Sequence, residues 1–224
     1  MKVILFGGTG MVGQGVLREC VLDDEVSDVL VVGRSYSGIS DGKAKEILQT
    51  DLYDLTAIED QLRAFDACFF CLGVSSAGMK EAEYKRVTYD LTMNIARTLV
   101  RLNPAMTFIY VSGAGTNSNS RQIWARVKGE TERALMALGF KSAYMFRPGY
   151  IQPLHGIESK TKLYQRLYAV LSPMYPVTVK LLRRYVISTE ELGRAMIRVG
   201  REGASKQVLE TPDLVRILRE SQNS

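Results

Sequence analysis

The chain has 224 residues, 46% of them hydrophobic and 24% charged, with a formal charge of +5. That length suits a single α/β domain with a sizeable core, and the composition is that of an ordinary globular protein. No apolar run approaches the roughly 20 residues that span a bilayer, and the odd set of cysteines, Cys20, Cys68 and Cys71, is no disulfide framework; both observations point to a cytoplasmic chain.

Val3-Ile4-Leu5-Phe6 is too short for a signal-peptide core and the right length for a buried strand. Gly7, Gly10 and Gly13 follow it, and Val12, Val16 and Leu17 then recur at helical spacing over residues 11–22. This order of strand, turn and helix start suits a dinucleotide. Gly7 takes the tight turn, Gly10 lets backbone approach a pyrophosphate, and Gly13 lets the helix pack on the strand, so that phosphate meets free N–H groups from Thr9 through Met11 and Val12. A second buried strand spans residues 28–33 and a weaker one lies near 46–49. Leu55, Ile58 and Leu62 mark a short helix. Residues 67–72 form a fourth strand, 81–102 a long helix that ends before Asn103-Pro104, and 106–112 a fifth strand. A helix over 121–138 is stopped by Gly139, and a sixth strand over 142–147 precedes Pro148-Gly149. Cys68 and Cys71 make a C-x-x-C, but within a strand residues three apart point to opposite faces, so neither redox nor zinc use is expected. Strands that alternate with helices predict a parallel, doubly wound sheet that binds ligands beyond the strands' carboxyl ends.

The end of the second strand selects the cofactor. About 20 residues past the glycines, a carboxylate would grip the ribose 2′-OH of NAD, and a basic residue the 2′-phosphate of NADP. The position holds Gly33-Arg34-Ser35, and a guanidinium fork beside a hydroxyl donates well to phosphate, which predicts NADP(H).

The chain resembles the atypical short-chain dehydrogenases/reductases, particularly the NmrA-like group and the Tat-interacting NADPH-binding oxidoreductases. The resemblance spans nearly the whole chain. It rests on Gly7-Gly8-Thr9-Gly10-Met11-Val12-Gly13, Val32-Gly33-Arg34, Cys71-Leu72-Gly73, Tyr110-Val111-Ser112-Gly113-Ala114-Gly115, Val127-Lys128-Gly129-Glu130 and Arg147-Pro148-Gly149. It implies an NAD(P)-binding Rossmann fold with a small C-terminal substrate-side lobe: one domain over 1–224, with 150–187 as the cap segment. It also implies that Asp51 and Leu52 flank the adenine, that Leu72 and Gly73 line the adenosine ribose, and that backbone from Pro148 through Tyr150 and Ile151 holds the nicotinamide amide.

In catalytic members of that group a Ser polarises the substrate carbonyl, a Tyr transfers the proton, and a Lys four residues later binds ribose and lowers the Tyr pKa. By resemblance Ser112 and Lys128 match, but the tyrosine position is Trp124, whose indole N–H donates a hydrogen bond and exchanges no proton near neutral pH. A relocated phenol from Tyr150 or Tyr84, or a water, would have to substitute. His155, in the substrate loop, is of a residue type suited to proton transfer but has no evident partner in the sequence; Tyr150 and Gln152 are expected to line the pocket.

Residues 160–185 carry Lys160, Lys162, Arg166, Lys180, Arg183 and Arg184 and no acid, so the rest of the chain holds 23 basic against 24 acidic residues. Leu163, Leu167 and Leu171 add an apolar helical stripe before Pro173 and Pro176, a pattern that serves for packing on the core as well as for closing over a ligand or lying on a membrane. This span is read as a mobile cap over the nicotinamide end, favouring an anionic small-molecule substrate, with weak peripheral membrane contact as the alternative. No nucleic-acid partner is expected. The functional expectation is an NADP(H)-dependent oxidoreductase or epimerase-like enzyme acting on a small carbonyl. The alternative is a non-catalytic NADP(H)-binding redox sensor.

Overall fold

Short apolar strands that must hide both faces, each followed by a helical segment, have one economical solution: a parallel sheet sandwiched between helices. The computed structural model, which describes residues 1–39, 41–157 and 185–220, shows that solution. In chain order the elements are β1 (Lys2–Phe6), α1 (Met11–Leu22), β2 (Asp28–Gly33), β3 (Ala44–Leu48), a 3₁₀ turn (Thr56–Leu62), β4 (Ala67–Phe70), α2 (Glu81–Lys85), a π-helical turn (Arg86–Asp90) and α3 (Leu91–Leu102). Then come β5 (Thr107–Val111), α4 (Ile123–Met136), β6 (Ser142–Arg147), β7 (Tyr150–Gln152), β8 (Val186–Ser188), α5 (Thr189–Glu202), β9 (Val208–Glu210) and α6 (Thr211–Glu220).

The main sheet is seven-stranded, in the order β3-β2-β1-β4-β5-β6-β9, and all its pairings are parallel. The order reverses between β1 and β4, where Phe6 pairs with Phe70, and such a switch point opens a crevice at the strands' carboxyl ends. β7 and β8 form a separate parallel pair. The doubly wound parallel sheet therefore stands as the sequence predicts.

Alternation along each strand divides the core in two. Val3, Leu5, Val29, Val31, Phe69 and Ile109 face α1 and α5, while Ile4, Phe6, Leu30, Cys68, Phe70 and Phe108 face α3 and α4. Cys68 and Cys71 fall on opposite faces, as expected, although β4 ends before Cys71. Burial pushes all three thiols well above the usual range, so none is a ready thiolate.

The differences from the sequence reading lie at element ends and late in the chain. The weak third strand sits earlier, over Ala44–Leu48, and the short helix is a 3₁₀ turn. The helix expected over 81–102 is interrupted by the π-helical turn, for which hydrophobic spacing gives no signal. β7, β8 and β9 are three residues each, too short to leave a periodic pattern. Most of the expected cap, including its leucine stripe and its six basic residues, lies outside the described residues.

Candidate functional site

Two places at the carboxyl ends of the strands hold the residues that the sequence singled out. The first is the β1–α1 turn. Gly7 has φ +90°, and a Cβ there would meet the Cys71 carbonyl carbon and the Leu72 nitrogen at 2.7 Å; only glycine lets the turn nest against the end of β4. The Gly7 carbonyl accepts from the Gly10 N–H at 3.0 Å. A Cβ on Gly13 would lie 2.0 Å from that same oxygen. Gly10 caps α1 in an extended conformation without a side-chain hydrogen bond, and no acid occupies the first turn. As the first three residues of α1, Met11, Val12 and Gly13 have N–H groups without an intrahelical acceptor, at the positive end of the helix dipole. The Thr9 carbonyl accepts from Gln14 Nε2 at 3.0 Å. A dinucleotide pyrophosphate fits this cradle: the glycines keep it open and the helix end is positive.

Arg34 and Ser35 follow β2 directly and are exposed. Glu46 on β3 accepts from the Ser37 N–H (2.7 Å) and hydroxyl (2.8 Å). Asp51 is exposed, and its carboxylate accepts from the Tyr53 N–H at 2.8 Å. Leu52 is buried in the α3 face, with Leu72 packed on that cluster's edge and Gly73 open to solvent.

The second is a cavity of about 380 Å³ at the carboxyl ends of β4, β5 and β6. The loop after β4 contributes Val74, Ser75 and Ser76; α2 contributes Tyr84; the loop after β5, Gly113 and Ala114; α4, Trp124 and Lys128; and the turn after β6, Pro148 and Gly149. Trp124 and Lys128 are one turn apart on α4 and share its cavity face. Two ion pairs fasten this helix to α2: Arg126 Nη2 to Glu81 Oε2 at 2.8 Å and Lys85 Nζ to Glu130 Oε2 at 3.3 Å. They flank Tyr84 on one side and Lys128 on the other.

Lys128 and Ser112 are brought together, but not as the resemblance implies. The Lys128 ammonium donates to the Ser112 main-chain carbonyl. The buried Ser112 hydroxyl donates to Glu132 Oε1 at 2.5 Å, with the Phe146 carbonyl at 3.2 Å. It does not line the cavity, whose wall here is Gly113 and Ala114. The physical reason is alternation: Ser112 lies two residues beyond Tyr110 on the α4 face of β5, where it meets Glu132. Glu132, with its side chain 2% exposed, is neutralised by Arg147, which also reaches Glu210 at 3.4 Å. Burial pushes the Lys128 ammonium down to about 8, against the opposing field of Glu132. Sequence reasoning missed Glu132 and Arg147 as a unit, although Glu132 stands four residues after Lys128 on the same helical face.

Of the other expected site residues, Pro148 lines the cavity, and its carbonyl accepts from the Ala114 N–H at 2.9 Å. Tyr150 and Ile151 lie beyond it in β7. The Tyr150 phenol, pushed up by burial, donates to Gln152 Oε1 at 3.2 Å. His155 has the partner the sequence did not show: Nε2 lies 2.8 Å from Glu190 Oε2 at the start of α5, and that carboxyl is held below its usual range first by this bond.

Comparison with known proteins agrees with this geometry. The model of a family described as the NAD dependent epimerase/dehydratase family matches residues 3–132. The chain is similar to "Protein FMP52-1, mitochondrial" of Scheffersomyces stipitis, 28% identical over 155 residues and covering 67% of each chain. It is similar also to "Protein fmp52, mitochondrial" of Emericella nidulans, 25% identical over 214 residues, covering 92% of this chain and 90% of the relative. Among solved structures, MoeE5 in complex with UDP-glucuronic acid and NAD superposes with a TM-score of 0.69 at 15% identity, covering 100% of this chain and 83% of that one, a likeness of fold. The relatives' names correct the cytoplasmic expectation: both are called mitochondrial. Hydropathy was a poor guide to compartment, because it registers membrane spans and secretory signals and little else.

Proposed function

Because the chain belongs to the NAD dependent epimerase/dehydratase family, we propose that it is an NADP(H)-binding oxidoreductase or epimerase-like enzyme acting on a small carbonyl compound. The observation that carries this reading is the shared location of two features. The open end of α1, which follows β1, and the Lys128 cavity, beyond β4, β5 and β6, both lie at the carboxyl ends of one parallel sheet, on either side of its switch point. The N–H groups of Met11, Val12 and Gly13 would hold the pyrophosphate. Arg34 and Ser35 would take the 2′-phosphate, Leu72 and Gly73 would lie along the adenosine ribose, and Asp51 and Leu52 would lie by the adenine. Lys128 would donate to the nicotinamide ribose, and backbone at Pro148, Tyr150 and Ile151 would lie beside the nicotinamide amide. Such a cofactor, when bound, supplies or accepts a hydride at this end. The cavity's own groups position the carbonyl and manage its proton.

The narrower kinship with NmrA-like and Tat-interacting oxidoreductases belongs to the same proposal and rests on the six shared motifs. So does a mitochondrial setting, which rests on the names of the fungal relatives. One observation favours the second reading, a non-catalytic NADP(H)-binding sensor: Trp124 stands in the cavity wall where a tyrosine would be the proton donor. Oxidation of NADPH followed against a panel of small aldehydes and ketones separates the two. Slow turnover that falls at least tenfold in Lys128→Met and rises in Trp124→Tyr supports the enzyme. Tight NADPH binding with no turnover of any carbonyl supports the sensor.

A further inference from the structure

Among the described residues, few groups that line the cavity are able to give up a proton. Trp124 exchanges none near neutral pH, and the Ser75 and Ser76 hydroxyls are far too weakly acidic. Tyr84 is a wall residue only 1% exposed. Lys128 is different: it reaches the cavity from the middle of α4, partly exposed, and its ammonium donates to a main-chain carbonyl rather than to a carboxylate. The one carboxylate behind it, Glu132, is already engaged by Arg147 and by the Ser112 hydroxyl. The geometry points to Lys128 itself as the proton donor to the substrate carbonyl oxygen, in place of the missing tyrosine. This inference rests on the oxidoreductase reading.

The step balances. With a reduced nicotinamide cofactor bound to supply a hydride to the carbonyl carbon, the C=O π pair would move to oxygen, and oxygen would take a proton from the Lys128 ammonium. The alcohol leaves, and the neutral amine recovers its proton from water. An ordinary lysine, near 10.4 or so, is too weak an acid for this at neutral pH. Here burial brings Lys128 to about 8, close to the working range of a general acid.

The charged surroundings keep it there. On α4, Glu132 opposes the shift, and Glu130 is paired with Lys85. From β6, Arg147 neutralises Glu132 and leads away to Glu210. From β5, burial pushes the Tyr110 phenol up, so it stays neutral. From α2 and the π-helical turn, Glu81 is taken by Arg126, Arg86 lies over the Tyr53 ring, Lys85 lies over the Tyr89 ring, and Asp90 is exposed.

The test combines a titration with kinetics on the full-length protein. Trace acetic anhydride labelling from neutral to alkaline pH, read by peptide mass spectrometry, gives each lysine's midpoint without any turnover. The expected midpoint for Lys128 is about 8, roughly two units below an ordinary lysine, with Glu132→Gln lowering it further. Carbonyl reduction by NADPH is expected to fall as pH rises through that same midpoint. Lys128→Arg, which keeps the charge but holds its proton, should lower the rate at least about 100-fold while NADPH affinity changes only a few-fold. An ordinary labelling midpoint for Lys128 overturns the inference. So does a wild type that reduces carbonyls at a rate Lys128→Arg retains, with the oxidoreductase reading left standing. A rate whose pH midpoint lies near about 10 and that collapses in Tyr84→Phe assigns the proton to Tyr84 instead. A wild type that turns over no carbonyl overturns both readings.

Discussion

The two ends of the candidate site are built from different materials. The β1–α1 end is made of backbone: glycines that hold no side chain out of the way, and N–H groups left over at a helix start. The β5–α4–β6 end is made of side chains joined by hydrogen bonds and one ion pair: Lys128 to the Ser112 main-chain carbonyl, the Ser112 hydroxyl to Glu132, and Glu132 to Arg147. A backbone cradle is indifferent to what surrounds it. A linked set of buried polar and charged groups depends on every member.

That contrast sets the order of expected effects. Removing Arg147 leaves Glu132 as an uncompensated buried charge, and Arg147→Met is expected to cost about 3–5 kcal/mol in urea unfolding. Glu132→Gln added to it should recover a large part. If the single substitution costs under about 1 kcal/mol, the reaction end is not the coupled unit described. At the other end, a Cβ on Gly13 would lie 2.0 Å from the Gly7 carbonyl. Gly13→Ala is therefore expected to lower NADPH affinity at least about 100-fold, some 2.7 kcal/mol, read by calorimetry. Wild-type affinity in that variant would show that the turn does not hold the pyrophosphate.

Legibility followed the same division. The glycine turn and the alternation of strands with helices could be read because each is local: a run of residues states its own conformation. Residues Ser112, Glu132 and Arg147 form one network from separations of 20 and 15 in sequence, and no local pattern reports such a meeting. Trp124 was visible as a departure, and of the two phenols the sequence offered in its place Tyr84 comes to the same cavity while Tyr150 does not line it; the ion pairs Glu81–Arg126 and Lys85–Glu130 that join α2 to α4 were not legible. His155 lacked its partner for the same reason, since Glu190 is 35 residues away.

Smaller effects sharpen the comparison. Lys128 is lowered from 10.5 to about 8 in the folded protein. Below that lower value the folded state bears the whole cost of a desolvated charge. Between the two values the unfolded chain binds more protons, so stability rises with pH across this window. Lys128→Met should flatten that rise and be more stable below the lower value by on the order of 1 kcal/mol; parallel pH profiles for the two proteins would remove the claim. The exposed pair Glu81–Arg126 should matter least to stability: Glu81→Gln is expected to cost about 0.2–1 kcal/mol, and less at high salt. A larger loss would mean that α2 depends on this single anchor.

The most direct measurement is calorimetric titration with NADPH and with NADH, on the wild type and on Arg34→Glu. A charge-assisted bond from Arg34 to the 2′-phosphate contributes about 1.5–3 kcal/mol, so NADPH is expected to bind about tenfold or more tightly than NADH, and Arg34→Glu to erase or reverse the preference. Equal affinities in the wild type, or a preference for NADPH that survives Arg34→Glu, would contradict it.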